Sequence, residues 1–128
     1  MERKKVPSNR IWSSVGYSRA IRVGNLIEVA GTSASAPGGV VVAPGDMYGQ
    51  AKYCLEVIKN AIEELGGSIK DVVRTRVFVT DISRWEEAGR AHGEFFGDVE
   101  PASAFIGVSE LLHPDLMIEI EATAIVDD

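Results

Sequence analysis

The chain has one cysteine and two histidines, and its acidic residues outnumber its basic ones. A lone Cys54 excludes an internal disulfide, which suits a reducing compartment. Cys54 with His92 and His113 does not supply the ligand set of a zinc site, so no metal or cofactor is expected. A net charge of −6 argues against a general nucleic-acid or anionic-membrane partner, because both require Lys and Arg to neutralise phosphates. No apolar run approaches the roughly 18 residues that span a bilayer. The basic start "MERKKVPSNR" leads into no apolar stretch, so no secretory signal is expected and the cytoplasm is the default. There is no Gly-x-Ser-x-Gly elbow. Gly38-Gly39 is not followed by the Lys-Ser/Thr helix start of a phosphate loop. Repeats and low-complexity segments are also missing.

What is present is a soluble globular balance. With 128 residues, 45% hydrophobic and 25% charged, the chain is one domain long enough to bury a core. The single domain is expected to run over 1–128, with 1–12 irregular. "GYSRAIRVGNLIEVAGTSA" holds two β-rich runs separated by Gly24-Asn25, a hairpin signal. Residues 35–46 read as loop, with a short strand near Val40 to Val42. Ala51, Leu55, Ile58, Ile62 and Leu65 make an amphipathic helical stripe, with Asp46 as N-cap and Gly66 as stop. A strand over 71–81 follows, then a helix over 83–98. Ser83 and Glu86 are placed as a capping box, and Trp85, Ala88, His92 and Phe95 as the inner stripe. Strands over 102–111 and 116–126 close the chain. This order predicts an α+β fold: a two-layer domain whose two helices cover one face of a mixed sheet.

The other face then has no helical cover. Alternation puts Val73, Thr75, Val77 and Val79 toward the helices, and Arg74, Arg76, Phe78 and Thr80 away from them. In "MIEIEATAIV", Ile118, Ile120, Ala122 and Ala124 point inward, and Met117, Glu119, Glu121 and Thr123 outward. Phe105 is expected on the same outer face. Charges mixed with large apolar groups fit a subunit interface better than open water. The competing reading is a solvated face with weak cross-strand ion pairs.

The segments "GYSRAIRVGNLIEVAG", "RTRVFVTDI", "EFF", "EPASAFIGV" and "IEIEATA" together resemble the Rid family (reactive intermediate deaminase, YjgF-type), over about Val15 to Val126. The resemblance implies a chorismate-mutase-like fold and a homotrimer with ligand clefts between subunits. It also implies hydrolysis of reactive enamines or imines to keto acids and ammonia, without metal or cofactor. On that pattern Tyr17 lines the cleft, Gly31 brings its backbone to the ligand, and Glu119 handles the attacking water. The arginine that grips the substrate carboxylate is replaced by Ser103, and the small cysteine two residues later by Phe105. Loss of that bidentate clamp points away from the usual 2-imino acids.

Several residues carry two readings. Glu119 is either the group that holds water and shuttles protons, or an ion-pair partner of Arg74 or Arg76. Arg74 or Arg76 either replaces the missing clamp or ties carboxylates across an interface. Tyr17 either orients substrate or fills an interface. His92 is either a buried, hydrogen-bonded histidine or a catalytic one. Ser103 offers a hydroxyl to a ligand. The expected function is a cytoplasmic, trimeric deaminase of a small imine or enamine. The alternative is a ligand-binding or regulatory trimer without catalysis. Neither uses nucleic acid or membrane as a partner.

Overall fold

The computed structural model describes residues 1–127. In chain order the elements are β1 (Arg3–Pro7), β2 (Ser18–Val23), β3 (Leu26–Ser33), α1 (Met47–Glu64), β4 (Val72–Val79), α2 (Trp85–Phe96), β5 (Ala102–Gly107) and β6 (Ile118–Ile125). The strands form one mixed sheet in the order β1-β2-β3-β6-β4-β5. All neighbours are antiparallel except β4 and β5. That parallel pair is possible because α2 carries the chain back along the sheet. The α+β, two-layer arrangement expected from the sequence is the one observed: α1 packs on β3 and β6, and α2 packs beside α1.

Local chemistry explains the boundaries. The Asp46 carboxylate accepts from the Gly49 amide at 2.9 Å and starts α1. At its end Gly66, with φ 86°, allows Gly67 N–H to reach Ile62 O and Gly66 N–H to reach Glu63 O. This is the glycine stop that left-handed backbone requires. Gly24 turns the β2–β3 hairpin with positive φ at the first central position, as a type II′ turn does. The α1 stripe of Leu55, Ile58 and Ile62 is fully buried against Ile118, Ile120 and Ala122 of β6. Burial of each large aliphatic side chain contributes about 1.5–3 kcal/mol.

Several expectations are corrected. Residues 3–7 are a strand rather than irregular chain, paired to β2 from Arg3↔Val23 to Val6↔Ala20. Its exposed Arg3, Lys4 and Lys5 guard a sheet edge with charge, so it lacks the alternation that would have announced it. The strand near Val40 reduces to one bridge, Ser35↔Val41, next to a tight turn over Pro37–Gly39. The Ser83–Glu86 capping box is replaced by Asp81, whose carboxylate accepts from both the Ser83 amide and hydroxyl. On α2 the buried residues are Ala88, Ala91 and Phe96, while Trp85 is 50% exposed. A register shift between Val72 and Arg74 turns Val72 inward and leaves Val73 exposed. Phe105 lies opposite Val77 on the parallel β4–β5 pair and meets His92 and Trp85. It is therefore on the helix side, not on the uncovered face.

Candidate active site

Near the centre of the sheet, β3 and β6 fall out of step. Val29 pairs with Ala122 and Thr32 with Ile120, so Ala30 and Gly31 together oppose Glu121 alone. Such a bulge bends the strand and re-aims its neighbours. Beside it opens a cavity of about 340 Å³ lined by Arg10, Trp12, Tyr17, Arg19, Gly31 and Glu119, among others. Tyr17, Gly31 and Glu119, singled out in the sequence, are thus brought together.

Glu119 lies across Gly31 so closely that a Cβ built there would fall 2.6 Å from Oε2. The glycine is required for this approach, not for its dihedral angles. Burial pushes the Glu119 carboxyl above the usual carboxylate range, and the neighbouring Glu121 adds to that push. Arg19 and Arg10 pull the other way. The expected alternative, an ion pair with Arg74 or Arg76, is not formed within the chain. Arg76 pairs instead with Glu121 at 3.9 Å, and both side chains are about two-fifths exposed. An exposed pair of this kind contributes about 1 kcal/mol at most. A larger depression of about 500 Å³ lies alongside and includes Lys5, Arg76, Glu28 and Glu121. Its Arg76–Glu121 pair is exposed, whereas the half-buried Glu119 carboxyl lines the smaller cavity.

Gly31→Ala is expected to push the Glu119 carboxylate aside. The displaced atom is the free end of a flexible side chain, so the fold should tolerate the change. A misplacement near 1 Å costs about a hundredfold in rate. Turnover should fall by that order with little change in thermal midpoint; unchanged turnover would show that Glu119 is not held by this contact.

The remaining sequence candidates lie elsewhere. Ser103 and Phe105 sit on β5 against α2, outside the Glu119 cavity. The Ser103 hydroxyl is engaged by Thr75 Oγ1 at 2.7 Å and donates to Pro101 O at 3.1 Å. Thr75 Oγ1 is also 2.8 Å from His92 Nε2, and burial holds His92 below the ordinary histidine value. His92 is therefore a hydrogen-bonded histidine at the sheet–helix boundary. Burial pushes the Cys54 thiol up to about 12, so it stays protonated. Among the described residues no cluster of three His, Cys, Asp or Glu side chains is placed to hold a metal, and no helix is long and apolar enough to cross a membrane.

Three participants were missed in the sequence. Arg10 and Arg19 are 5% and 4% exposed; nothing in a single arginine's sequence context announces burial. Gln50 is fully buried on α1. Its Nε2 donates to Asp115 O at 2.9 Å and its Oε1 accepts from Met117 N–H at 2.9 Å, fixing the chain two residues before Glu119.

The profile of the family described as Endoribonuclease L-PSP matches residues 7–126. The chain belongs to this family. The YjgF/Rid resemblance read from the motifs is the same assignment. A RutC family protein of Pyrococcus abyssi is 39% identical over 108 residues, covering 84% of this chain and 84% of that protein. The 3-aminoacrylate deaminase RutC of Acinetobacter baylyi is 32% identical over 108 residues, covering 84% of this chain and 85% of that one. The crystal structure of a YjgF/YER057c/UK114 family member from Mycobacterium tuberculosis matches with TM-score 0.88 and 42% identity, covering 98% of this chain and 100% of that one. The L-PSP fold therefore extends from β1 to β6, with the bulge and its cavity inside the matched span.

Proposed function

We propose that this L-PSP family protein is a hydrolytic deaminase of small enamines or imines, with Glu119 as its general acid–base. The observation that carries this reading is a half-buried carboxyl of raised pKa, held over the Gly31 backbone in a small cavity. A carboxyl shifted toward neutrality can serve in both protonation states. An enamine first takes a proton on carbon and gives one up from nitrogen, becoming the imine tautomer. Glu119 accepts a proton from water as the water oxygen bonds to the imine carbon, passes it to nitrogen, and then takes the hydroxyl proton as the C=O bond forms and the C–N bond breaks. One water is consumed, and a carbonyl compound and ammonia are released. Tyr17 and Gly31 shape the cavity around the reacting carbon. The deaminase activity in the name of the RutC relative is of this type.

The second reading, a binding or regulatory protein without catalysis, draws on Ser103, which stands outside the cavity and offers no cationic clamp. An endoribonuclease role fits poorly with a net charge of −6. The test is ammonia release from freshly generated enamines and imines. Turnover lost in Glu119→Gln supports the enzyme, whereas ligand binding without turnover supports the sensor.

The working form is proposed to be a cytoplasmic homotrimer. Phe78 and Met117 flank Glu119 and Arg76 on the face that no helix covers, a mixture suited to a protein interface. Sedimentation at micromolar concentration should give three times the chain mass; a stable monomer would contradict this.

A further inference from the structure

Glu119 alone leaves the departing nitrogen one proton short. Forming the imine takes one proton from nitrogen and adding water returns one, but ammonia carries one N–H more than the enamine did. A second group must hold the missing proton and give it back. Glu119 and Glu121 are the two carboxyls among the described residues that line the smaller cavity. They share one face of β6, about 7 Å apart at two residues of strand rise. The bulge sets Ala30 and Gly31 against Glu121, and all of them border the same opening. Among the described residues neither carboxyl accepts a hydrogen bond, and neither has its oxygens sealed from the surface. The 3.9 Å contact to Arg76 is exposed and weak, and it leaves Glu121 open to a ligand. The surroundings of the two groups differ. Burial, and then Glu121, push the Glu119 carboxyl up, whereas Glu121 has a guanidinium beside it and is about two-fifths exposed. Neighbouring carboxyls in unlike surroundings divide the roles of acid and base.

We infer that Glu121 is a second catalytic carboxyl of this cavity, the group that takes the N–H proton of an enamine and returns it to nitrogen as ammonia leaves. This rests on the reading of the cavity as a deaminase site. The cycle begins with Glu119 protonated and Glu121 ionised. Glu119 gives its proton to the enamine carbon while Glu121 takes one from nitrogen, and C=C–N becomes C–C=N. Glu119, now a carboxylate, passes a proton from water to nitrogen as the C–O bond forms. It then takes the hydroxyl proton while Glu121 protonates nitrogen and the C–N bond breaks. Glu119 is again protonated and Glu121 again ionised. The cycle closes with one water consumed and no outside acid or base. An imine that has no enamine form skips the first exchange. Arriving protonated on nitrogen, it needs Glu119 alone.

The test compares an enamine with an imine that cannot become one. The enamine probe is freshly generated 3-aminoacrylate. The imine probe is iminoacetate, formed in place by oxidation of glycine, in which no hydrogen-bearing carbon adjoins the C=N unit. Both are small acids, so charge and size are matched. Ammonia release above the spontaneous rate gives kcat/KM for each. Glu121→Gln should lower kcat/KM for 3-aminoacrylate at least about tenfold more than for iminoacetate, a modest share of what a general acid–base group supplies. Glu119→Gln should lower both. Glu121→Asp keeps a carboxyl and should recover part of the enamine rate, which keeps the test usable if glutamine disturbs the strand. Arg76→Gln should leave the enamine-to-imine ratio near that of the native protein, because the ion pair is not what the reaction uses. An unchanged ratio in Glu121→Gln, or an equal fall in Arg76→Gln, would overturn the assignment of Glu121 and leave the deaminase reading standing. Native turnover of iminoacetate but not of 3-aminoacrylate would do the same. Release from neither probe would overturn both.

Discussion

Glu119→Gln should lower kcat by about 10²–10⁴-fold, the usual worth of a general acid–base group, and should at the same time stabilise the protein at neutral pH. Glutamine preserves length and hydrogen bonding and removes only the titrating proton. The stability effect follows from the raised carboxyl, whose main cause is burial. In the unfolded chain a glutamate titrates near about 4.3. Below that value Glu119 is protonated in both states and imposes no cost. As pH rises through the higher folded-state value, the folded protein must hold a poorly solvated charge and loses stability. The thermal midpoint of Glu119→Gln should therefore exceed that of the native protein at pH 7, with the gap closing as pH falls toward 4. A variant less stable than the native protein at pH 7 would mean that Arg10 and Arg19, not burial, dominate at Glu119.

Gln50→Ala should give the largest loss of stability outside the aliphatic core. The Gln50 amide links α1 to the segment leading into β6 and, at longer range, to the loop before α1. It donates to Asp115 O and accepts from Met117 N–H, with a longer contact of 3.4 Å to Ala43 O. Removing it leaves part-buried backbone groups unpaired, at up to about 1–3 kcal/mol each, and leaves a cavity at the fully buried Gln50 site. A total loss of about 3–5 kcal/mol is expected by chemical denaturation. Gln50→Leu separates the two contributions, because it refills the space but not the hydrogen bonds. If Gln50→Leu lies within about 0.5 kcal/mol of the native protein, as neutral surface changes do, the amide is not what anchors this segment. Because Met117 immediately precedes β6, kcat should fall together with stability.

Elements whose local chemistry and burial agree were legible in the sequence. The α1 stripe, the Asp46 cap, the Gly66 stop and the in–out alternation of β6 each report their own surroundings. The family motifs located Tyr17, Gly31 and Glu119, which the bulge brings together. Features that depend on a partner segment were not legible. Phe105 reads as an outer-face residue in the sequence, whereas its orientation follows from parallel pairing with β4, which the β5 pattern does not encode. Val73 was turned outward by a register shift. Arg10 and Arg19 look like surface residues in the sequence and are buried where β3 supplies Ser33 O and the bulge residue's Gly31 O as acceptors.

The most direct measurement is ammonia and carbonyl release from freshly generated 3-aminoacrylate, followed against the spontaneous rate. If Glu119 performs acid–base hydrolysis in this cavity, the native protein accelerates release in proportion to its concentration, and Glu119→Gln, folded and at least as stable at neutral pH, returns the rate nearly to that of buffer. Release equal in the two proteins would contradict the assignment of the chemistry to Glu119.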